Sequence, residues 1–556
     1  MKRLLIMVLL CLTTLPAISR GEDFRETMLN KGIRNSEAYA YQLLEKAGKN
    51  SPQSNQLLKE AAKISPDLPA VYFELAQNSF SPSSAGIFES VNYIIEGLHA
   101  YLRNFWWSFT FAGSFFFSVV ISFVAAIAII IALRSPGDLR LFGHDMTETK
   151  YPFFMLIPLA ILSFVSPFLF LAGMLVLLGM YMRKIDRTVV YGFLVFLVIS
   201  PVVFKVSSLF VDVMTSADMK AIVEVNESKD NKRAVTILKN SDDDASLFSY
   251  ALALKREGNY EEAAALYQKL LQRRPASKVY VNLGNCYVGL NEMDEAITCY
   301  LKATEIKPLA SAFYNLSQIS RLMLDYTKGN EYFNRALAID RNAVSDYRSI
   351  YSRNPNRIVV DETLSYADLW KLAMEMPVKA SAFGTSVLPA FFISGTAVIL
   401  IILYALLISR SRNRAYRCKR CSTVLCPRCE KRLVWGQMCP ECYASMIKLD
   451  ALVAKERIAK LLTIYEYQKK RRGIMKIFSF LMPGGSHIYA GKILIGFIFL
   501  WPFLFFLFLP YVNFVFSGGG VLFTHRFFTW ATLFLAAGVY IISNIITRRR
   551  IAKGWL

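Results

Sequence analysis

The chain has no nucleophile–base motif, no glycine-rich phosphate loop and no His-Glu-x-x-His helix, so the local signatures of most hydrolases, nucleotide-using enzymes and metalloproteases are missing. Acid is scarce: 42 Asp and Glu stand against 64 Lys and Arg, a formal net charge of +22. None of the apolar runs between Phe109 and Phe204 carries a charge within it. That argues against a transporter, because ionisable residues inside a membrane normally mark an ion or substrate path. The absences together predict a protein that is not an enzyme.

What is present is apolar. At 556 residues the chain is too long for one ordinary domain, and 54% apolar with 14% aromatic content is too greasy for several soluble ones. The basic residues do not gather into one patch, as a nucleic-acid surface would need, but stand beside apolar runs, where they set membrane topology. The N-terminus reads Met1-Lys2-Arg3, an apolar core Leu4 to Leu15, then Pro16-Ala17-Ile18-Ser19, the pattern of a cleavable signal peptide over residues 1–19. An external helical domain is expected over 20–105 and a membrane domain over 106–210.

Expected spans are 109–133, 189–204, 387–408, 493–516 and 527–546. Residues 151–182 are also free of charge, but prolines at 152, 158 and 167 break them. Placing the basic loops inside decides their form. Arg134 and Arg140, then Arg183-Lys184, then Arg410 to Arg420, then Arg548 to Arg550 can all be cytoplasmic only if 151–182 begins and ends on that side, as a hairpin or re-entrant element. The localisation expected is a bacterial-type inner membrane, with the segment 211–380 periplasmic and the C-terminus cytoplasmic.

Residues 244–343 repeat with a period near 33. Tyr260, Ala263, Tyr267 and Pro275 correspond to Met293, Ala296, Tyr300 and Pro308, then to Tyr326, Gly329, Phe333 and Arg341. The pattern resembles the tetratricopeptide-repeat (TPR) family in three units, about 244–276, 277–309 and 310–343. A weaker echo lies at 53–80. The resemblance implies an α-solenoid with a concave groove for a protein or peptide partner. Asn282, Asn285 and Asn315 fall on first helices at positions that often face that groove, which makes them candidates for peptide binding. Cys286 and Cys299, on the two helices of the middle unit, are expected as buried free thiols, with a disulfide as the alternative.

Six of the nine cysteines crowd into Cys418, Cys421, Cys426, Cys429, Cys439 and Cys442, spaced as three Cys-x-x-Cys turns within 409–443. Two such turns bring four thiolates onto one tetrahedral zinc, so a structural Zn2+ is predicted. It takes either Cys418, Cys421, Cys439 and Cys442, as in a zinc ribbon, or Cys426, Cys429, Cys439 and Cys442. A basic amphipathic helix over 444–472 follows, suited either to anionic lipid or to packing on the cysteine module. Residues 473–556 then carry Pro483-Gly484-Gly485-Ser486-His487-Ile488-Tyr489-Ala490-Gly491, with Gly496 after it, ahead of a span. This resembles the entry of the TM2 family, a two-helix membrane module, although Ser517-Gly518-Gly519-Gly520 replaces that family's acidic connection. His487 is expected as a hydrogen-bonded structural residue.

The fold class expected is mainly α: membrane helices, TPR-type repeats and a small zinc-ribbon-like module. The expected function is a membrane scaffold or adaptor with membrane lipids and a protein as partners. The alternatives are a membrane-tethered, zinc-dependent regulator that binds nucleic acid, and a transporter or envelope-assembly component. Against nucleic acid, no aromatic stacking pattern accompanies the basic residues of 410–432.

Overall fold

The computed structural model describes residues 24–47, 52–147, 166–229, 232–348, 355–377, 390–410, 414–426, 438–447, 453–516 and 526–554. The expected signal segment and the first part of the 151–182 element, up to residue 165, lie outside the described residues. The described chain is mainly α-helical, and its strands, Tyr416–Arg417 and Val424–Leu425, pair antiparallel. Two compact units form: Met1–Phe109 with Val211–Pro377, and Thr110–Phe210 with Val378–Leu556. The helical segments on either side of the first apolar region, separate domains on sequence grounds, therefore share one body.

In the first unit, helices Glu37–Ala47, Pro52–Ile64, Pro69–Ser79 and Ser84–Arg103 precede that region. A buried polar knot joins them to the chain that resumes after it. Lys229 Nζ lies 2.8 Å from Glu37 Oε1 and 2.7 Å from Glu227 Oε2, and Asn104 Nδ2 donates to Glu37 Oε1 over 2.9 Å. Glu227 also accepts the backbone N–H of Phe105, which opens the long apolar helix Phe105–Thr147. A carboxylate thus meets the positive, unsatisfied end of that helix. Burial favours neutral Lys229, but the two carboxylates outweigh it and raise its pKa above that of a free lysine.

The repeat helices pair as the period demands: Asp244–Glu257 with Tyr260–Arg273, Ser277–Gly289 with Met293–Ile306, and Ala310–Leu322 with Tyr326–Ile339. Ala263, Tyr267, Ala296 and Tyr300 are buried at these contacts. Where the third unit lacks its proline, Arg341 opens one more helix, Arg341–Arg348, and Val344 closes the end of the repeat core.

Four helices among the described residues are long and apolar enough to cross a membrane: Phe105–Asp145, Ala390–Ser409, Ile493–Phe516 and Phe528–Ala552. The expected span 189–204 falls within a pair of helices, Lys184–Val198 and Ser200–Thr215, bent by 58°. Pro201 explains the break, because it has no N–H for the preceding turn and its ring crowds that turn's carbonyl. Val202 N–H turns back to Ile199 O at 3.0 Å, and the Val198 carbonyl is taken by the Ser394 hydroxyl at 2.8 Å. A broken helix survives in an apolar setting only with such repair. Pro167–Gly179, at 13 residues, is too short to span the roughly 30 Å hydrocarbon core and begins at Pro167, one of the prolines expected to break this segment.

The charged ends of these helices gather at one end of the second unit. Arg134 pairs with Asp138 one turn on and donates to Tyr489 O; Arg414 donates to Met180 O; Asp145 accepts from Tyr181 and from Ala415 N–H. Buried Asp186 accepts Leu494 N–H at 2.8 Å, where the third long span begins. Nearby, Gly484 takes φ +77° and packs against the Gly496 carbonyl so closely that a Cβ would lie 2.2 Å from its oxygen. That contact accounts for the glycine spacing of the entry motif. His487 is buried, 3.4 Å from Thr547 and 3.3 Å from Arg550.

Replacing Lys229 by methionine keeps the volume but leaves the buried Glu227 carboxylate and the partly buried Glu37 without their cation. The expected loss is about 3–5 kcal/mol, read as a fall in the first unit's resistance to denaturant and protease, whereas Lys328→Met at an exposed pair should leave that resistance unchanged.

Candidate functional sites: an occupied repeat groove and a four-cysteine centre

The three asparagines expected to contact a peptide are buried on the first helices of the second and third repeats. They face an extended segment of the chain's own sequence, Val359 to Leu364. Asn315 Nδ2 donates to Val360 O at 2.9 Å while its Oδ1 accepts Val360 N–H at 2.8 Å. Asn282, one period earlier, makes the same fork on Glu362, donating to its carbonyl at 2.9 Å and accepting its N–H at 2.8 Å. Asn226 Oδ1 accepts Leu364 N–H at 2.7 Å and its Nδ2 donates to Ser249, which holds the equivalent position of the first repeat. One repeat therefore reads one dipeptide, because alternate peptide groups of an extended chain point the same way.

Between the two forks lies the Asp361 carboxylate. Lys255 Nζ is 2.7 Å from Oδ1, Arg256 Nε 3.5 Å from Oδ2, and Asn285 Nδ2 donates to Oδ1 at 2.9 Å. Burial pushes Asp361 upward, but Lys255 and Arg256 outweigh it, so its pKa rests below the ordinary carboxylate value. Val359 and Val360 fill the apolar floor with Tyr314 and Val344, and Ser311 donates to Glu362 Oε1 at 2.5 Å. The sequence reading missed Lys255, Arg256 and the segment that they hold. The available signal was Lys255 itself, a cation at the repeat position where the second unit has buried Val288. Cys286 and Cys299 are buried and form no disulfide; burial pushes their thiols up to about 12 and about 11.

Of the six clustered cysteines, Cys418, Cys421, Cys439 and Cys442 bring their sulfurs within 4.8 Å of one another. The paired strands Tyr416–Arg417 and Val424–Leu425 close a tight turn, with Cys418 N–H donating to Thr423 O and Ser422 in the left-handed region at φ 63°. The second pair opens the helix Pro440–Met446, where Cys439 Sγ accepts Cys442 N–H at 3.4 Å; Cys418 Sγ accepts Cys439 N–H at 3.3 Å. Cys421 and Cys439 sulfurs are 3.7 Å apart, against about 3.8 Å for two thiolates on one tetrahedral ion with bonds near 2.3 Å. The donor set fits a metal. Cys426 packs elsewhere, with Leu141 and Ala415, and Cys429 lies outside the described residues.

The basic helix expected over 444–472 runs instead from Ala454 to Leu481. Ile464 enters the core around the cysteines, Gln468 donates to the Lys419 and Arg420 carbonyls, and Lys460 pairs with Glu441 at 2.5 Å. These positions recur every four residues, so one face of the helix packs on the cysteine module.

Two outcomes are expected. Cys418→Ser or Cys442→Ser should abolish a bound metal measured at one per chain by elemental analysis, while Cys426→Ser should retain it. Because the folded pKa of Asp361 is depressed, its contribution is complete above the unfolded value near 3.8 and is lost as pH falls through the lower folded value. Amide exchange at Val360 and Glu362 should thus be flat from about pH 8 to about pH 5, after correction for intrinsic rates, and rise only below about pH 4.

Family models of the tetratricopeptide repeat match residues 245–277 and 277–308, the first two units of the array. Comparison with curated proteins finds no match to the chain.

Proposed function

We propose that this protein is an integral membrane scaffold of a bacterial-type cell envelope, which presents its repeat unit outside the cytoplasm and a zinc-stabilised module inside, and acts by binding other proteins. The observation that carries the reading is the pairing of a TPR-matched array with a chain that leaves and re-enters one folded body around its first apolar region. A body built from both Met1–Phe109 and Val211–Pro377 stands in water on one side of a membrane only if the chain crosses an even number of times between them. The helix Phe105–Asp145 supplies one crossing and the bent pair another, so 151–182 must add two or none. The same parity follows from the basic residues, since a cytoplasmic excess of Lys and Arg sets orientation.

The clustering of Arg134, Arg183, Arg414 and Arg417 with the start of the third span supports a common cytoplasmic face for those loops. Zinc is the metal proposed because paired Cys-x-x-Cys turns in a reducing compartment hold it in a closed, tetrahedral, four-thiolate structural site. Such a site has no open position for substrate, so its role is to hold the module and the helix that packs on it.

Single reporter cysteines placed at exposed Lys269, at Lys184 and at Lys553, in a background with the natural non-ligand cysteines replaced, test the topology in intact cells. Labelling by an impermeant maleimide at Lys269 alone is expected. Protection of the Lys269 reporter until the membrane is permeabilised would place the repeats in the cytoplasm and sink the proposal.

A further inference from the structure

The repeat groove holds a ligand already, and it is bound in a way that another chain could reproduce. The peptide groups of Val360, Glu362 and Leu364 are met by side chains, two of them through the paired donor and acceptor of one asparagine amide. Recognition of this kind reads an extended backbone and takes no account of whether that backbone is covalently continuous with the groove. Buried cations meet the segment at one place. Lys255 is 1% exposed and Arg256 3%, and both turn onto Asp361. Arg256 is also fixed by donating to Val225 O at 2.7 Å and to the Ser228 hydroxyl at 3.2 Å, so this cation is held in place by groups outside the segment.

We propose that this groove is a binding site for extended peptides carrying an aspartate preceded by apolar residues, that residues 359–364 are its resident ligand, and that a partner's peptide enters only when this segment leaves. The inference rests on the reading of the repeats as a protein-binding platform and specifies what that platform takes. A carboxylate is required because two buried cations without a counter-charge are costly, and a peptide offering asparagine or alanine there leaves them so. Release is favoured by the segment's place in the chain. It lies between the one-turn helix Pro355–Ile358 and the helix Tyr366–Glu375, whose start is closed independently by the Ser365–Asp368 capping box. The segment can therefore come away without unwinding a helix.

The test uses the full chain in detergent. The probe is a fluorescent peptide with the sequence of residues 357–365, together with the same peptide carrying alanine for its aspartate. Asp361→Asn weakens the resident segment and leaves every groove residue in place. The Asp361→Asn chain is expected to bind the aspartate peptide at least tenfold more tightly than the wild-type chain does, and at least tenfold more tightly than it binds the alanine peptide. Equal affinity of the two chains, equal affinity for the two peptides, or no binding to the variant would each overturn the proposal. Hydrogen exchange on the wild-type chain gives a second arm that needs no variant. Amides of Val360, Glu362 and Leu364 should open while the helices Ser277–Gly289 and Ala310–Leu322 stay protected. Exchange of all of them in one cooperative event would make the segment permanent core and overturn the gating. Photo-crosslinkers at exposed repeat positions in cells separate the two readings: a crosslinked protein partner alongside failed peptide binding would leave the platform standing and remove this ligand, and no crosslinked partner anywhere would remove the platform.

Discussion

A peptide N–H or carbonyl taken out of water must be given another partner, and this constraint decides most of what is unusual in the molecule. Where the chain is helical the partners are automatic. Where it is not, side chains have been recruited one by one: Ser394 for the carbonyl freed at the Val198 break, Glu227 for the first amide of the long apolar helix, and the asparagines for the extended segment in the groove. Each of these bonds joins parts of the chain that are far apart in sequence. Satisfying the backbone is thus also what ties distant segments together.

The same logic governs charge. The buried cations of the first unit are paired by carboxylates, Lys229 by its neighbour Glu227 and by distant Glu37, Lys255 and Arg256 by distant Asp361. Removing one partner of such a pair is far more costly than the pair is worth, which makes these sites strict about what may occupy them. In the groove, strictness becomes selectivity. At the cysteine centre the equivalent requirement would fall on four thiolates, whose mutual repulsion a cation held there would relieve.

Much of the architecture is legible in the residues. The 33-residue period places all six repeat helices, since small residues at Ala263 and Ala296 and aromatics at Tyr267 and Tyr300 must recur wherever helix pairs stack. Long runs free of charge mark 493–516 to the residue, because a span is defined by composition and length alone. Cys-x-x-Cys spacing identifies the thiol turns but leaves two ligand sets open. The strand pair that folds Cys418 and Cys421 back onto Cys439 and Cys442 selects one of them, and Cys426 goes to a separate apolar cluster.

Sequence by itself determined what is periodic or local: helix type, repeat length, the apolar spans and the thiol turns. Tertiary structure alone decided which distant segments meet, because pairing energies between residues far apart depend on geometry that no local pattern encodes. Asn282 and Asn315 are visible as candidates for reading a peptide, yet nothing near them in sequence says that the peptide is Val359 to Leu364. Likewise, Lys255 is a misplaced charge until Asp361 arrives beside it from 106 residues away. The fork of an asparagine amide fits any extended backbone, and only the folded chain shows whose backbone it holds.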